Sequence, residues 1–212
     1  MSETAATARD TYRHGDLRQA LLSAGIDMAQ AGGPDAIVLR EATRQAGVSP
    51  NAAYRHFADR QALLVAVSGA AQGFAADSMV GGRDAAAPTG DPVADARQRL
   101  RGVGTGYLRF AREQPGLFRA AFTVPDNLAN SGAPAKAGAF GLTPFQVLGG
   151  VLDELVDAGV LPAERRPNAE LLAWATVHGL GMLVIDGPLR GLTDPVIDHM
   201  TERLLDMVDR GI

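Results

Sequence analysis

A short segment of the chain combines a tight turn with side chains that can hydrogen-bond to nucleic acids. It reads AGVSPNAAYRHF, from residue 46 to residue 57. Gly47 accepts the left-handed conformation of a helix end, Ser49 is a preferred helix cap, and Pro50 is preferred at a first helical position. A phenol, a guanidinium and an imidazole, which can all donate to phosphate oxygens, follow closely. They belong to Tyr54, Arg55 and His56.

Two short helices joined by such a turn form a helix-turn-helix, whose second helix enters the major groove of DNA. On the exposed first turn of this helix, Asn51 can make paired hydrogen bonds to adenine, and the methyl group of Ala52 can touch a thymine methyl. Two further basic residues, Arg40 and Arg60, are expected to flank this surface. The predicted DNA-binding residues are Arg40, Ser49, Pro50, Asn51, Ala52, Tyr54, Arg55, His56 and Arg60. The spacing alone leaves open a second interpretation, in which the turn merely joins two helices of a bundle.

Helical spacing of apolar residues predicts that the rest of the chain is helical as well. Leu17, Leu21, Ala24 and Met28, for example, lie along one helical face. Alternating apolar runs, which would indicate strands, are absent. About nine helices are predicted, over residues 15–31, 39–46, 50–57, 59–80, 93–113, 117–122, 144–158, 167–185 and 194–210. Residues 123–143, which are rich in Gly, Ala and Pro, are expected to form a long, mobile loop.

The composition of the 212-residue chain is typical of a water-soluble globular protein. Apolar residues make up 46% and charged residues 21%, there is no cysteine, and no run of 18 apolar residues lacks a polar break. The N-terminus shows no signal-peptide pattern, so a cytoplasmic protein with no membrane partner is expected. The net charge is −4, yet residues 36–60 carry four Arg against one Glu and one Asp. This distribution permits DNA binding by the N-terminal part.

The segment RQAGVSPNAAYRHFADRQALL resembles the helix-turn-helix of the TetR family of bacterial transcriptional regulators. The family pattern has Ala-Gly-Val-Ser, small residues, Tyr-x-His-Phe, a polar cap and Leu-Leu, which correspond here to residues 46–49, 54–57, 59 and 63–64. The segment HGDLRQALL, which begins at residue 14, resembles the first helix of the family. Two positions depart from the pattern. Val38 stands where the family usually has a Ser or Thr cap, and Ala53 replaces the usual Leu.

This resemblance implies an all-helical homodimer with a C-terminal ligand domain, in which a small molecule relieves repression. We therefore expect an all-α fold with a three-helix DNA-binding domain over residues 1–58 and a ligand-binding and dimerisation domain over residues 59–212. The apolar residues of the last two helices exceed what one bundle core needs, so they are predicted to form the dimer interface. They are Leu171, Leu172, Ala175, Leu180, Ile197, Leu204, Leu205 and Val208. Two-fold symmetry then predicts an inverted-repeat operator.

The segment LLAWATVHGLGMLVIDG resembles a TetR subgroup whose C-terminal domain is named for Trp, His and Gly, here Trp174, His178 and Gly179. Aromatic residues of the middle helices are expected to gather on the same face, around a mostly apolar pocket with a few polar groups. The predicted ligand-binding residues are Tyr107, Phe110, Phe118, Phe122, Phe145, Trp174, His178 and Met182. The alternative is that these side chains simply fill the core or the dimer interface.

Arrangements of residues typical of catalysis are missing from the sequence. The four His residues show no metal-binding spacing, and neither a Gly-x-Ser-x-Gly elbow nor a phosphate-binding Gly pattern occurs. No catalytic residue, metal, cofactor or enzymatic activity is therefore expected. The favoured hypothesis is a repressor that a small apolar effector releases from double-stranded operator DNA. The alternatives are an activator or protein-responsive regulator of the same fold, and a helical ligand-binding protein with a vestigial helix-turn-helix.

Overall fold

The computed structural model describes residues 14–212, with side chains from Leu17 onward. This part of the chain contains nine α-helices and no strand, which confirms the predicted all-α fold. The helices are α1 (His14–Gly32), α2 (Leu39–Gln45), α3 (Pro50–Tyr54), α4 (Arg60–Arg83), α5 (Pro92–Glu113), α6 (Pro115–Thr123), α7 (Pro144–Asp157), α8 (Ala169–Ile185) and α9 (Asp194–Gly211). The apolar core is continuous across them. The proposed domain boundary at residue 58 stays a prediction.

Local sequence explains where four of these helices begin. Ser49, Asp59, Asp91 and Thr143 each accept a hydrogen bond from a backbone N–H in the first turn of the helix that follows. Such a cap satisfies a backbone donor that has no partner within the helix. Val38 provides no side-chain cap for α2. The departure from the family pattern at this position therefore leaves the start of α2 less well satisfied.

Two helices end three residues away from their predicted ends, whereas the other ends agree within one residue. α3 ends at Tyr54, whereas the sequence predicts a helix that continues to Phe57. The backbone N–H groups of His56 and Phe57 both donate to the carbonyl oxygen of Ala53, which tightens the chain into a turn beyond the helix. Phe57 still turns inward and is buried. α4 continues to Arg83, three residues beyond the end predicted at residue 80.

The expected long loop over residues 123–143 is instead anchored to α4. Backbone carbonyl oxygens of Ala135 and Ala137 approach α4 so closely that a Cβ atom at Gly69 or Gly73 would lie 2.7 or 2.8 Å from them. Only glycine permits this approach. The segment also forms two short 3-10 turns, Leu128–Asn130 and Pro134–Lys136. Composition alone predicts a loop here because it does not show which helix the segment contacts.

The centre of the molecule is the contact between α4 and α5. A Cβ atom at Gly82 would lie 2.1 Å from the carbonyl oxygen of Gly102, and one at Gly106 would lie 2.2 Å from that of Ser78. The two backbones therefore touch with no side chain between them. α4 also has the length and hydropathy of a membrane span, although polar residues interrupt its apolar sequence. However, 61% of its most apolar window is buried inside the fold, as in a central core helix.

Candidate nucleic-acid interface and candidate ligand cavity

The turn between α2 and α3 has the geometry of a helix-turn-helix. Gly47 adopts a φ of +67°, which glycine tolerates without strain. The Ser49 hydroxyl oxygen accepts a hydrogen bond from the Ala52 N–H at 3.3 Å, so α3 begins at Pro50. Ala53 is fully buried, and α3 therefore packs against the neighbouring helices through one side only.

The outward side of α3 and the turn after it carries the residues predicted to contact DNA. Asn51, Tyr54 and Arg55 are exposed, and Ala52 and His56 are half-buried. Tyr54 keeps 56% of its surface exposed, although it lies between Ala53 and Phe57, which are both buried. A phenol that packing leaves in solvent is available to donate to phosphate.

The two flanking arginines have different surroundings. Arg40 is exposed, and its side chain makes no ion pair or hydrogen bond within residues 17–212. Arg60 donates from Nε to the Ile37 carbonyl oxygen and from Nη2 to the Pro34 carbonyl oxygen, both at 2.7 Å. Its guanidinium therefore joins the start of α4 to the turn before α2. Sequence spacing gave no sign of this contact, because the partners are backbone atoms more than twenty residues away.

A basic residue that the sequence analysis did not single out also belongs to this region. The guanidinium of Arg18, on α1, lies 5.1 Å from the centre of the Phe57 ring. This distance suits a cation–π contact. No spacing rule connects residues so far apart in the chain, so only the fold reveals the pair.

A cavity of ≈ 640 Å³ lies in the C-terminal half of the molecule, a volume within the range of small-molecule sites. Aliphatic side chains from α5, α7, α8 and α9 form much of its wall. Five of the eight predicted ligand-binding residues line it. They are Tyr107, Phe122, Phe145, Trp174 and His178.

The other three predicted ligand-binding residues do not line the cavity. Phe110 and Phe118 are buried in the core, where the Phe118 ring stacks on His178 at 5.4 Å between ring centres. Met182 lies on the outer side of α8 and is 37% exposed. Each step of four residues turns about 40° around an α-helix, so Met182 is about 80° away from Trp174. A regular four-residue spacing therefore does not keep Trp174, His178 and Met182 on one face of α8.

Three cavity residues form a hydrogen-bonded chain. The indole Nε1 of Trp174 donates to the Tyr107 hydroxyl oxygen at 3.1 Å, and this oxygen lies 2.9 Å from Nδ1 of His178. Burial raises the pKa of Tyr107 far above its usual range and lowers the pKa of His178. Desolvation disfavours the charged form of each group. Both side chains are therefore neutral near pH 7.

Charged residues reach the cavity too, and they are paired. Lys136 forms an ion pair with Asp126, and Arg101 forms one with Asp206. The hydrogen bond from Lys136 is the largest cause that lowers the pKa of Asp126, to about 2. The sequence does not indicate that Lys136 and Asp126 reach the cavity, because they lie in a segment whose composition predicts a loop. Over the described residues, no three His, Asp or Glu side chains are grouped to hold a metal ion.

Comparisons with known protein families match both halves of the chain. The model described as bacterial regulatory proteins, tetR family, matches residues 21–67. The model described as tetracyclin repressor-like, C-terminal domain, matches residues 100–208 and so covers about half of the chain. The first match contains the helix-turn-helix, and the second contains most residues of the cavity wall. No curated protein matches the chain.

Solved structures share the fold over nearly the whole length. A protein of unknown function from Rhodococcus sp. RHA1 is 25% identical, with a TM-score of 0.68 over 96% of this chain and 99% of that chain. A TetR family transcription regulator from Marinobacter aquaeolei VT8 is 22% identical, with a TM-score of 0.54 over 90% and 94%. A bacterial regulatory protein in the tetR family from Rhodococcus RHA1 is 18% identical, with a TM-score of 0.55 over 91% and 96%.

Proposed function

The chain belongs to the TetR family of bacterial transcriptional regulators, and from this membership we propose that it is a cytoplasmic repressor whose operator complex dissociates when a small, mostly apolar effector fills the cavity. Membership makes the protein a ligand-responsive, DNA-binding transcriptional regulator. One observation carries the proposal for the effector. The ≈ 640 Å³ cavity is lined mainly by apolar and aromatic side chains, and α4 and α6, which contribute to its wall, also contact α1 of the helix-turn-helix region.

α6 offers a direct route from the cavity to the DNA-binding helices. Ala121, near the end of α6, lines the cavity, and its carbonyl oxygen accepts hydrogen bonds from Ser68 at 2.9 Å and Gln72 at 3.0 Å, both on α4. At the other end of α6, a Cβ atom at Gly116 would lie 2.3 Å from the Ala29 carbonyl oxygen of α1. An effector that displaces α6 therefore displaces α1 and α4 as well.

The effector must bind the DNA-free arrangement more tightly than the DNA-bound one. Only such a difference in affinity can shift the equilibrium between the two arrangements. Because the coupling is reciprocal, operator DNA should weaken effector binding by the same factor. α4 begins directly after the helix-turn-helix, so its displacement changes the position of α3 relative to the major groove.

We expect a homodimer, as is typical of the family, and place its interface on α8 and α9. α8 is apolar around most of its circumference, and a helix of this kind is normally buried on all sides. Yet Leu172, Met182 and Leu183 of α8 are exposed in the protomer, as are Val196 and Met207 of α9. A second copy of the chain would cover them in a four-helix contact. The two-fold symmetry of that contact would match an inverted-repeat operator.

This interface differs in part from the set predicted from sequence. Leu180, Ile197, Leu205 and Val208 are buried within the protomer. Leu205, for example, packs against Gly104 of α5, where a Cβ atom would lie only 2.3 Å from its side chain. The small residues of α5 leave room for these α9 side chains. Helical spacing identifies an apolar face but does not show whether it meets the core or a second protomer.

Binding to DNA from upstream of the gene would test the proposal. Fluorescence anisotropy should show affinity for an inverted repeat that falls steeply with salt, because arginines displace counterions from phosphates. A reporter driven by this promoter should rise when the repressor gene is deleted. A fall in reporter output would indicate an activator instead. Salt-independent, weak binding to every sequence would favour a ligand-binding protein with a vestigial helix-turn-helix.

A cavity-filling variant tests the effector site. Leu148→Trp places an indole in the cavity wall and should abolish operator release by an apolar cell extract. The matched control is Phe140→Trp, because Phe140 is 65% exposed and lies outside the cavity. If the extract releases both variants from the operator as readily as it releases the unmodified chain, the effector binds elsewhere.

A further inference from the structure

The hydrogen-bonded chain in the cavity wall fixes the proton positions of its members. The Trp174 indole can only donate, so the Tyr107 oxygen must accept from it. The Tyr107 proton then needs an acceptor, and Nδ1 of His178, at 2.9 Å, is the one that remains. If Nδ1 carried the proton instead, the buried phenolic hydrogen would have no partner, at a free-energy cost.

With Nδ1 as acceptor, the neutral imidazole of His178 carries its proton on Nε2. No protein group from residues 17–212 accepts a hydrogen bond from this nitrogen. No buried side-chain nitrogen or oxygen of those residues lacks a partner, so Nε2 retains accessible surface. His178 lines the cavity, and aromatic rings surround its imidazole. These rings belong to Tyr107, Phe118, Phe122 and Trp174. The hydrogen-bonded chain thus leaves one oriented donor of the cavity lining, the Nε2–H of His178, without a protein partner and among aromatic rings.

We propose that the effector is an uncharged, largely apolar molecule with a hydrogen-bond acceptor, such as a ketone or ester carbonyl, and that the Nε2–H of His178 donates to it. Tyr107 and Trp174 are positioning residues, since they hold the imidazole in the tautomer that donates. The proposal rests on the proposed function, in which this cavity is the effector site.

Charged ligands suit this wall less well than neutral ones. An ammonium group brings only donors, and the hydrogen-bonded chain presents another donor rather than an acceptor. A carboxylate would lose its hydration for one neutral N–H, because Lys136 and Arg101 are already paired with acidic residues. A carbonyl oxygen loses less hydration and gains the same hydrogen bond.

The only tryptophan of the chain, Trp174, lies in the cavity wall and supplies a spectroscopic readout. Titration with 2-undecanone, undecane, undecanoate and undecylamine, followed by Trp174 emission, compares a neutral acceptor with an alkane, an anion and a cation of equal chain length. We expect 2-undecanone to bind about tenfold more tightly than undecane, as one net hydrogen bond contributes. We expect both charged probes to bind more weakly than the ketone.

Variants of the hydrogen-bonded chain distinguish the donor from a general packing role. His178→Leu should remove the preference for ketone over alkane, whereas His178→Gln, which retains an amide N–H, should keep it within about threefold. Tyr107→Phe should reduce the preference, because without the hydroxyl group the tautomer of His178 is no longer fixed. This variant also removes the hydrogen-bond acceptor of the Trp174 indole, so its affinities are measured by calorimetry rather than by Trp174 emission. His199→Leu, at an exposed position outside the cavity, is the matched control and should keep the full preference.

The ratio of the two affinities is the decisive quantity, since a merely damaged cavity would lower both affinities together. Equal affinity for ketone and alkane in the unmodified chain, tighter binding of either charged probe, or no binding of any probe would overturn the proposal. A ketone that shows the expected ratio but leaves operator binding unchanged would contradict the proposed repressor mechanism and still support the donor role of His178.

Discussion

Two arginines of the DNA-binding region, Arg40 and Arg60, have different roles. Arg40 extends into solvent, while Arg60 uses its guanidinium to hold two backbone carbonyl groups. Both are predicted to flank the DNA surface, and sequence alone cannot separate them because both are arginines next to the helix-turn-helix. Their surroundings differ, and so should the consequences of removing them.

Arg60→Ala should lower the free energy of unfolding by about 1.5 kcal/mol, because it removes two charge-assisted hydrogen bonds at a solvent-exposed site. Arg40→Ala should leave this free energy nearly unchanged, weaken binding to specific and random DNA alike, and reduce the salt slope by about 1. Urea denaturation and anisotropy titrations at several salt concentrations measure the two effects. Equal stability losses in both variants would contradict the assignment.

Asn51 is the exposed amide on the first turn of α3, and we expect it to read one base. Asn51→Ala should relax the preference at one position of each operator half-site, at a cost of about 1–3 kcal/mol for the preferred base. Competition among all single-base operator variants measures this profile. An unchanged profile would assign base recognition to other residues.

His178 should make stability depend on pH. Burial lowers its pKa below the ordinary 6.5, so the unfolded chain takes up a proton before the folded one does. The stabilisation is complete above pH 6.5 and declines as the pH falls below that value. The melting temperature should therefore drop more between pH 7.5 and 5.0 in the unmodified chain than in His178→Gln. Parallel pH profiles for the two proteins would contradict this.

Helix beginnings were easier to predict from sequence than helix ends. Ser49 and Asp59 cap their helices through hydrogen bonds to nearby backbone, and such local contacts are visible in the sequence. The end of α3 and the anchoring of residues 123–143 depend on distant helices. For the same reason, the pairing of Lys136 with Asp126 in the cavity wall could not be predicted.

The start of α2 offers a test of this local reasoning. Val38 is in an extended conformation, is 47% exposed and caps nothing. Val38→Thr keeps the side-chain shape and adds an acceptor for the first turn, so the free energy of unfolding should rise by about 0.5–1 kcal/mol. Val65→Thr, at a 50% exposed position inside α4, provides the control, because no unpaired N–H is available there. Urea denaturation of both variants would show whether the gain is specific to the cap.

In the molecule as a whole, sequence patterns predicted the all-α architecture, and five of the eight predicted ligand-binding residues line one cavity. They did not separate cavity wall from core, because Phe110 and Phe118 have the same character as Phe122 and Phe145. They also did not separate the core from the outer surface on α8 and α9. Both distinctions depend on how the helices rotate against one another, which the sequence of a single helix does not determine.

Dimerisation can be tested on the outer side of α8. Leu172→Glu introduces a charge at a position that is 62% exposed in the protomer, and burying that charge in an interface would be costly. Sedimentation should show a monomer, and operator affinity should fall at least tenfold while non-specific binding persists. Val93→Glu, 41% exposed near the start of α5, should remain dimeric. A dimeric Leu172→Glu protein would place the interface elsewhere.

The Lys136–Asp126 pair has a consequence for post-translational control. Lys136 is the only lysine of the chain, so the helix-turn-helix contains no lysine and its guanidinium groups belong to arginines. Acetylation of side-chain amines therefore cannot neutralise the charges proposed to contact DNA. It can act only at the cavity wall, where loss of the Lys136 charge would free Asp126 and remove the ion pair that joins the two ends of residues 126–136. Acetylation would thus alter access of the effector and leave the phosphate contacts intact.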